Sequence, residues 1–253
     1  MNSILTIAGT EFSRFFRSPL AWSLLAIMQF IFALVFFSNV DEYRLQIQPA
    51  IVGMENAPGV TDVVVAGLYL WIAVVMMGVM PILTMRLFAE ERMNHTLPLL
   101  LSAPISSTEI VLGKYFGILA VVLLMVALFS LMPLSLAWGT ALDWGVFASA
   151  VLGLSLLLAS FAAAGLFLSS LTRQPIIAAI SSFGLLIFLV ILYILGNAKT
   201  TESVVFIHLS HFSHFLAFLQ GIVESSAVAY YLLFISGFLI LTIRKLANDR
   251  LQG

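Results

Sequence analysis

Charge is the scarcest property of this sequence. Only 9% of its 253 residues are Asp, Glu, Lys or Arg, whereas 62% are hydrophobic. Soluble domains carry about 25% charged residues, so a soluble globule of this composition would expose large apolar patches. Intrinsic disorder is excluded as well, because disordered segments are polar and highly charged. The remaining class is an integral membrane protein.

Two further absences narrow the possible functions. The sequence has no cysteine, which excludes disulfides, thiolate metal sites and a cysteine nucleophile. Its net charge is −1, so it lacks the basic field that nucleic-acid binding requires. We therefore expect membrane lipids and other proteins, and no nucleic acid, as its partners.

Long uncharged stretches predict the topology. A helix needs about 20 mainly apolar residues to cross the hydrocarbon core, and six stretches approach or exceed that length. The predicted spans are 20–38, 63–83, 115–139, 145–171, 175–195 and 227–243. Because backbone polar groups in lipid must bond within their own segment, each span should be helical. The predicted fold is a single all-α domain of residues 1–253, a polytopic membrane protein with six transmembrane helices.

The basic residues orient these spans, because cytoplasmic loops carry an excess of Lys and Arg. Nine of the eleven fall in the N-terminal segment, the 84–114 loop, the 172–174 turn and the C-terminal segment. Only Arg44 and Lys199 fall on the opposite side. Both termini are therefore predicted to be cytoplasmic.

Three segments between or beside the spans have distinct patterns. Residues 2–17 place apolar side chains at helical spacing, which predicts an amphipathic helix in the membrane interface. Residues 39–62 form a polar outer loop. The second outer loop, 196–226, is mostly apolar in its centre. A seventh span there would place Arg244, Lys245 and Arg250 on the outer side, so the charge distribution favours a re-entrant or interfacial helix.

Three histidines in this second outer loop have two interpretations. His208, His211 and His214 follow one another at three-residue spacing, which places them on one side of a helix. They form the polar side of an interfacial helix in the first interpretation, and a pH-sensitive contact is a variant of it. In the second they bind a transition metal, although no acid in that stretch is available to orient the imidazoles.

The cytoplasmic loop 84–114 is the most informative segment. Span two is predicted to continue as a charged helix to about Arg92, and Thr96 to cap a short helix with an apolar leucine surface. Pro104 ends that helix, and Ser106 or Ser107 starts the helix that enters span three. A short helix with exposed leucines below a membrane bundle is typical of protein docking. The alternative is that it packs against its own bundle.

A set of motifs in this loop resembles the permease signature of type-two ABC transporters. The matching residues are Arg86-Leu-Phe-Ala-Glu-Glu-Arg92, Thr96-Leu97, Leu99-Leu100-Leu101, Ala103-Pro104, Ser106, Glu109-Ile110 and Gly113-Lys114. The gliding-motility-associated ABC permeases are the most similar group, through Ser210-His-Phe, Gly221 and Tyr230-Tyr231. In the family a glycine commonly precedes the threonine, and His95 occupies that position here.

The resemblance implies a membrane subunit of an exporter in a bacterial inner membrane. It implies a second permease subunit as homodimer or heterodimer, two copies of a separate ATPase that uses ATP and Mg, and a possible accessory membrane or periplasmic subunit. The short helix would be the coupling helix. The implied coupling residues are Glu90, Glu91, Arg92, Thr96, Leu99, Leu100 and Pro104, with Lys114 where the chain re-enters the membrane.

The chain itself is predicted not to be an enzyme and to hold no cofactor. A phosphate-binding loop needs a glycine five residues before its Gly-Lys pair and Ser or Thr directly after it. The only Gly-Lys pair in the sequence, Gly113-Lys114, has Thr108 and Tyr115 at these two positions, so the motif is absent. A membrane protease is disfavoured because no predicted span carries His or Asp. Two alternatives remain: an accessory for metal or cofactor maturation, and a secondary carrier, which missing intramembrane charges disfavour.

Overall fold

A computed structural model describes residues 2–51, 58–196 and 208–252, and these ranges are helical without any strand. The principal helices are α1 Asn2–Arg17, α2 Pro19–Glu42, α3 Ala66–Thr84, α4 Arg86–Met93, α5 Leu97–Ser102, α6 Ser107–Leu134, α7 Trp144–Leu171, α8 Pro175–Gly196, α9 His211–Leu219 and α10 Ser225–Gln252. Short π-helical segments, Tyr43–Ile47 and Thr61–Val65, extend α2 and precede α3, and a 3-10 turn, Ser135–Trp138, follows α6.

The all-α fold with six candidate spans is confirmed. Within the described residues, six helical stretches are long and apolar enough to cross a bilayer. They are Ala21–Ala50, Thr61–Met93, Ser107–Trp138, Trp144–Leu171, Pro175–Gly196 and Ser225–Leu251. Each of these helical stretches is longer than the uncharged stretch that predicted it, because the helix continues into residues at the ends of that stretch.

The first outer loop differs from its prediction. Residues 39–62 were expected to be a polar loop, yet the helix continues through Glu42 and the π-helical turn to Gln48–Ala50. Residues 52–57 of this loop lie outside the described part of the chain. A polar composition is compatible with a loop and with an exposed helix, because the side chains face water in both. The sequence pattern therefore did not distinguish the two.

Helix α7 is the centre of the bundle. It contacts α3, α6, α8, α9 and α10, and two thirds of its apolar length is buried. Small residues allow these contacts: a Cβ at Gly153 would lie 2.5 Å from Phe218 Cβ, and one at Gly165 would collide with Thr84. Close approach of helices at small residues is the usual packing mode of membrane bundles. In α8, by contrast, a Cβ at Gly184 meets no atom of the described residues within 4 Å.

The N-terminal helix α1 is part of the bundle as well. It lies along the start of α6, where Gly113 and Gly117 leave room for its backbone. A Cβ at Gly117 would lie 2.7 Å from Glu11 Cβ and 3.1 Å from the Ala8 carbonyl oxygen. This amphipathic helix therefore packs on a spanning helix with one face, and its exposed face carries Leu5.

We expect Gly117→Ala to destabilise the protein by about 1–3 kcal/mol, because the added methyl must push α1 away from α6. Thermal unfolding in detergent measures the change. Gly78→Ala in α3 is the matched control, since its Cβ meets no described atom within 4 Å. Equal melting temperatures for the two variants would contradict the close α1–α6 contact.

Candidate functional site

The most buried charge of the described residues is Lys114, whose exposure is 1%. Its Nζ donates to Glu11 Oε1 at 2.5 Å and to Glu91 Oε1 at 2.6 Å. It also lies 5.3 Å from the centre of the Phe88 ring. Because Glu11 belongs to α1, Glu91 to α4 and Lys114 to α6, this ion triad joins three helices at one end of the bundle.

The two carboxylates of the triad offset the desolvation cost of the buried Lys114 ammonium group. A buried ammonium ion costs several kcal/mol unless partners replace its hydration, and two carboxylates supply those partners here. The side chains of Glu11 and Glu91 are 15% and 17% exposed, so water screens them little. Lys114 was predicted as the point of membrane re-entry; the structure adds that it lies behind the surface, where it holds α1 and α4.

The other charges of α4 pair with the two ends of the chain. Glu90 lies 3.2 Å from Arg14 of α1, and Arg92 pairs with Asp249 of α10. Asp249 also accepts from Lys245 at 2.8 Å. The N-terminal helix, the 84–114 loop and the C-terminal helix therefore meet at the same end of the bundle, as the distribution of basic residues predicted.

A serine of α7 fixes the junction between α3 and α4. Ser169 Oγ accepts from the backbone N–H groups of Phe88 and Ala89 at 3.0 and 3.1 Å, and donates to the Met85 carbonyl at 2.9 Å. It thus satisfies backbone groups at the start of α4. Sequence reasoning missed this role, because a serine among small residues in a spanning helix carries no signal of its own.

The turn before α5 explains the unusual residue at position 95. His95 has φ of 56°, which is the left-handed region that glycine adopts without strain. The glycine common at this position in similar permeases would serve the same backbone geometry. Thr96 occupies the N-cap position of α5, as predicted, but the expected side-chain cap is wrong, because its hydroxyl donates to the Glu91 carbonyl at 3.3 Å.

The leucines of α5 divide between the bundle and the surface. Leu97 is buried, Leu100 is half-buried against the core, and Leu99 is 73% exposed. The side chain of Leu101, which was also predicted to belong to this surface, lies outside the described residues. Among the three leucines that are described, Leu99 is the exposed one. Helix α5 thus packs on its own bundle through Leu97, as the alternative interpretation expected, while the docking interpretation stays a prediction.

Helix α10 holds the end of α5. The Arg250 guanidinium donates to the Ala103 carbonyl at 3.0 Å and to the Ile105 carbonyl at 2.8 Å. Pro104 lies exposed between these two carbonyls. Arg250 was not among the predicted site residues, because only the fold brings it to a segment about 145 residues earlier.

The start of α6 follows its predicted pattern. Ser106 Oγ accepts from the Glu109 backbone N–H at 3.2 Å, and the Glu109 carboxylate accepts from the Ser106 N–H at 2.9 Å. This reciprocal capping box satisfies two backbone donors. Ser106 is therefore the N-cap residue, and the helix leading into the third span begins at Ser107, in agreement with the prediction that one of these two serines starts it.

The three histidines do not share one helix side. Ser210 caps α9 between His208 and His211 and accepts from the Ser213 N–H at 3.2 Å. His211 is fully buried beside Phe161, Tyr230 and Phe234. The expected polar side of an interfacial helix is therefore wrong for His211, because α9 packs within the bundle instead of lying on it.

The surroundings of these histidines are backbone and aromatic groups. Tyr230 donates to the Leu209 carbonyl at 2.6 Å and lies 2.8 Å from His211 Nδ1, while His214 Nε2 lies 3.1 Å from the His208 carbonyl. Across the described part of the chain, no group of three His, Cys, Asp or Glu side chains is arranged to hold a metal ion. Residues 197–207, which precede this segment, lie outside the described residues.

A comparison with protein families identifies the chain. Residues 5–243 match the model of the ABC-2 family transporter protein. This match covers nearly the whole chain, so the protein belongs to that family and is a membrane component of an ABC transporter. No curated protein matches the sequence significantly.

Removal of the buried lysine should destabilise the protein strongly. We expect Lys114→Met to cost about 3–5 kcal/mol, because Glu11 and Glu91 would then remain close together without their cation. Thermal or denaturant unfolding in detergent measures the loss. Adding Glu11→Gln and Glu91→Gln to Lys114→Met should recover a large part of it.

The matched control for this variant is Lys245→Met, whose lysine is 35% exposed and pairs with Asp249 one helical turn away. Such a pair contributes under about 1 kcal/mol. If both lysine variants lose the same stability, the triad does not join the three helices.

The backbone at position 95 generates a second prediction. We expect His95→Val to lower stability by about 1–2 kcal/mol, because a β-branched residue is strained at positive φ. His95→Gly should keep or raise the melting temperature. Asn94→Val is the control, since Asn94 has a negative φ of −84° in the same turn. A normal melting temperature for His95→Val would refute the left-handed turn.

Proposed function

We propose that this ABC-2 family member is the transmembrane permease subunit of an ATP-driven exporter, and that α5 is its coupling helix. The observation that carries the proposal is the exposed Leu99 on a short helix that is fastened to the bundle on both sides. Burial of Leu97 holds the beginning of α5, and Arg250 holds the segment after its end. A short helix that exposes an apolar residue to a partner and is attached to the bundle at both ends is suited to transmit a displacement of that partner to the bundle.

The predicted coupling residues take different roles in this mechanism. Leu99 would contact the ATPase, with exposed Thr96 and Pro104 at the two ends of α5. Leu100 and Lys114 are behind the surface and would position the helix. Glu90, Glu91 and Arg92 would connect it to α1, α6 and α10 through their ion pairs.

The ion pairs and hydrogen bonds of α4 suggest how a displacement of α5 would reach the other helices. A displacement of α5 by an ATPase would move α4, which is joined to α6 through Lys114 and to α7 through Ser169. These helices would shift together as a rigid body, because packed interfaces switch between discrete arrangements. ATP binding would in this way change which side of the membrane the bundle opens to.

The chemistry of ATP hydrolysis is assigned to partner chains. We infer two copies of an ABC ATPase that bind ATP and Mg, and a second permease subunit as homodimer or heterodimer. A possible accessory membrane or periplasmic subunit, and membership of the gliding-motility-associated group, complete the proposed assembly. This chain is proposed to have no catalytic residue and no cofactor.

The orientation follows from charge. We infer a bacterial inner membrane with both termini in the cytoplasm, because nine of eleven basic residues lie on the side of α5. The contacts of Arg14 and Arg250 with the 84–114 loop support this grouping. An ATPase that binds α5 would then lie in the compartment that holds ATP.

Neither alternative function gains an observation from the structure. A metal-maturation accessory rested on the three histidines, and His211 is engaged by Tyr230 in a buried aromatic environment. A secondary carrier needs ionisable groups inside its spans, whereas Lys114 lies eight residues into α6, near the end that α5 occupies.

The coupling contact can be tested at Leu99. We expect Leu99→Asp to reduce transport-linked ATP hydrolysis by tenfold or more, because burial of a leucine contributes about 1.5–3 kcal/mol. The rate is measured on the full complex in liposomes. Leu99→Met keeps the apolar contact and should retain the stimulated rate.

Thermal unfolding of the isolated chain is the fold control for both variants, since residue 99 is exposed and its replacement should leave the bundle intact. Unchanged stimulation in Leu99→Asp, with normal assembly of the complex, would show that α5 is not the coupling helix.

A further inference from the structure

A cavity of about 400 Å³ lies beside the triad. Its walls come from α1, α2, the α3–α4 junction and α6. Its volume falls within the range of small-molecule sites. The cavity adjoins the coupling segment through α4, although it contains none of the residues of α5.

One end of this cavity is charged. Arg14, Arg86, Glu11 and Glu90 line it. Both acids already have a cation, since Glu90 pairs with Arg14 and Glu11 with Lys114. Among the residues that the structure describes, no carboxylate lies within ion-pair distance of Arg86. This exposed guanidinium therefore retains its capacity to bind an anion.

The other walls of the cavity are apolar. Leu24, Ile82, Ile118 and Val121 line them, and Ile82 is 45% exposed at the rim. Nearby, Trp22 is 60% exposed and donates its indole N–H to the Phe16 carbonyl at 2.9 Å. Exposed tryptophan at a helix end is typical of the headgroup level of a membrane. The cavity thus combines a free cation with an apolar wall at the depth where lipid headgroups and acyl chains meet.

We propose that this cavity binds one anionic phospholipid of the leaflet that faces α5. The lipid phosphate would pair with Arg86, and the upper part of one acyl chain would lie against Leu24, Ile82 and Val121. The charge of the site selects an anionic headgroup, because Arg86 is the lining cation that lacks a carboxylate. A lipid here would fill the space between α1 and the α3–α4 junction.

This site goes beyond the proposed coupling function and does not depend on it. A bound lipid would contact α1 and the start of α4 at once, so it would add to the attachment that Lys114 provides. Anionic lipid would then stabilise the arrangement of α1, α4 and α6 in the isolated chain, with no ATPase present.

Spin-labelled lipids test the proposal directly. The purified full chain is placed in phosphatidylcholine bilayers with trace spin-labelled phosphatidylglycerol or phosphatidylcholine, and the motionally restricted fraction gives each association constant. We expect the chain to prefer phosphatidylglycerol. Arg86→Gln should reduce the association constant of phosphatidylglycerol about fivefold, by loss of one interfacial cation.

Two further variants make the result specific. Arg173→Gln removes an exposed arginine at the turn between α7 and α8, outside the cavity, and should leave the association constant unchanged. Ile82→Trp, at a partly exposed position, should fill the cavity mouth and reduce binding of both lipids. Thermal unfolding confirms that each variant is folded.

Three outcomes would overturn the proposal. The first is equal association of both lipids with the unaltered chain. The second is an equal loss in Arg86→Gln and Arg173→Gln, which would indicate diffuse surface attraction. The third is displacement of the labelled lipid by millimolar inorganic phosphate, which would indicate a site for a soluble anion. Should Arg86→Gln fail to fold, unchanged binding in Ile82→Trp would overturn it as well.

Discussion

The burial of one ammonium group constrains the end of the bundle where α1, α4 and α6 meet. Lys114 is removed from water, so its charge must be balanced by Glu11 and Glu91 within hydrogen-bond distance. That requirement places α1 and α4 on either side of α6 and leaves little freedom in their relative positions. The glycines at 113 and 117 permit the same arrangement by allowing α1 to approach closely. The ion triad and the two glycines therefore favour the same packing of α1, α4 and α6.

Under the proposed coupling function, this arrangement would let a weakly charged protein transmit a displacement from α5 to the other helices. Most of the bundle is held by non-directional apolar contacts, which do not specify a direction of movement. The ion pairs of α4 and the hydrogen bonds of Arg250 and Ser169 are directional, and they connect the segment around α5 to α1, α6, α7 and α10. The few charges of the chain are concentrated where a docking partner would need a firm connection, and a lipid-sized cavity lies next to them.

Hydropathy was sufficient to predict the spans, since crossing a bilayer requires a long apolar run whatever the packing. The capping box at Ser106 and Glu109 was also predictable, because both partners lie within one helical turn. The errors concern contacts over longer distances. Thr96 precedes α5, but its hydroxyl bonds to the Glu91 carbonyl and not to the helix, and His211 is enclosed by residues of α7 and α10. A pattern along the chain does not reveal which neighbour a side chain will meet.

The sequence by itself determined the class of protein, the number of spans, the segregation of basic residues and the position of the informative loop. These properties follow from composition and local spacing, which act before any two helices meet. Only the tertiary structure decided that Lys114 is buried between two acids, that Arg250 holds the end of α5, and that Leu99 is the exposed one among the described leucines of that helix. Each of these depends on which distant segments come together, and that is set by packing three or more helices at once.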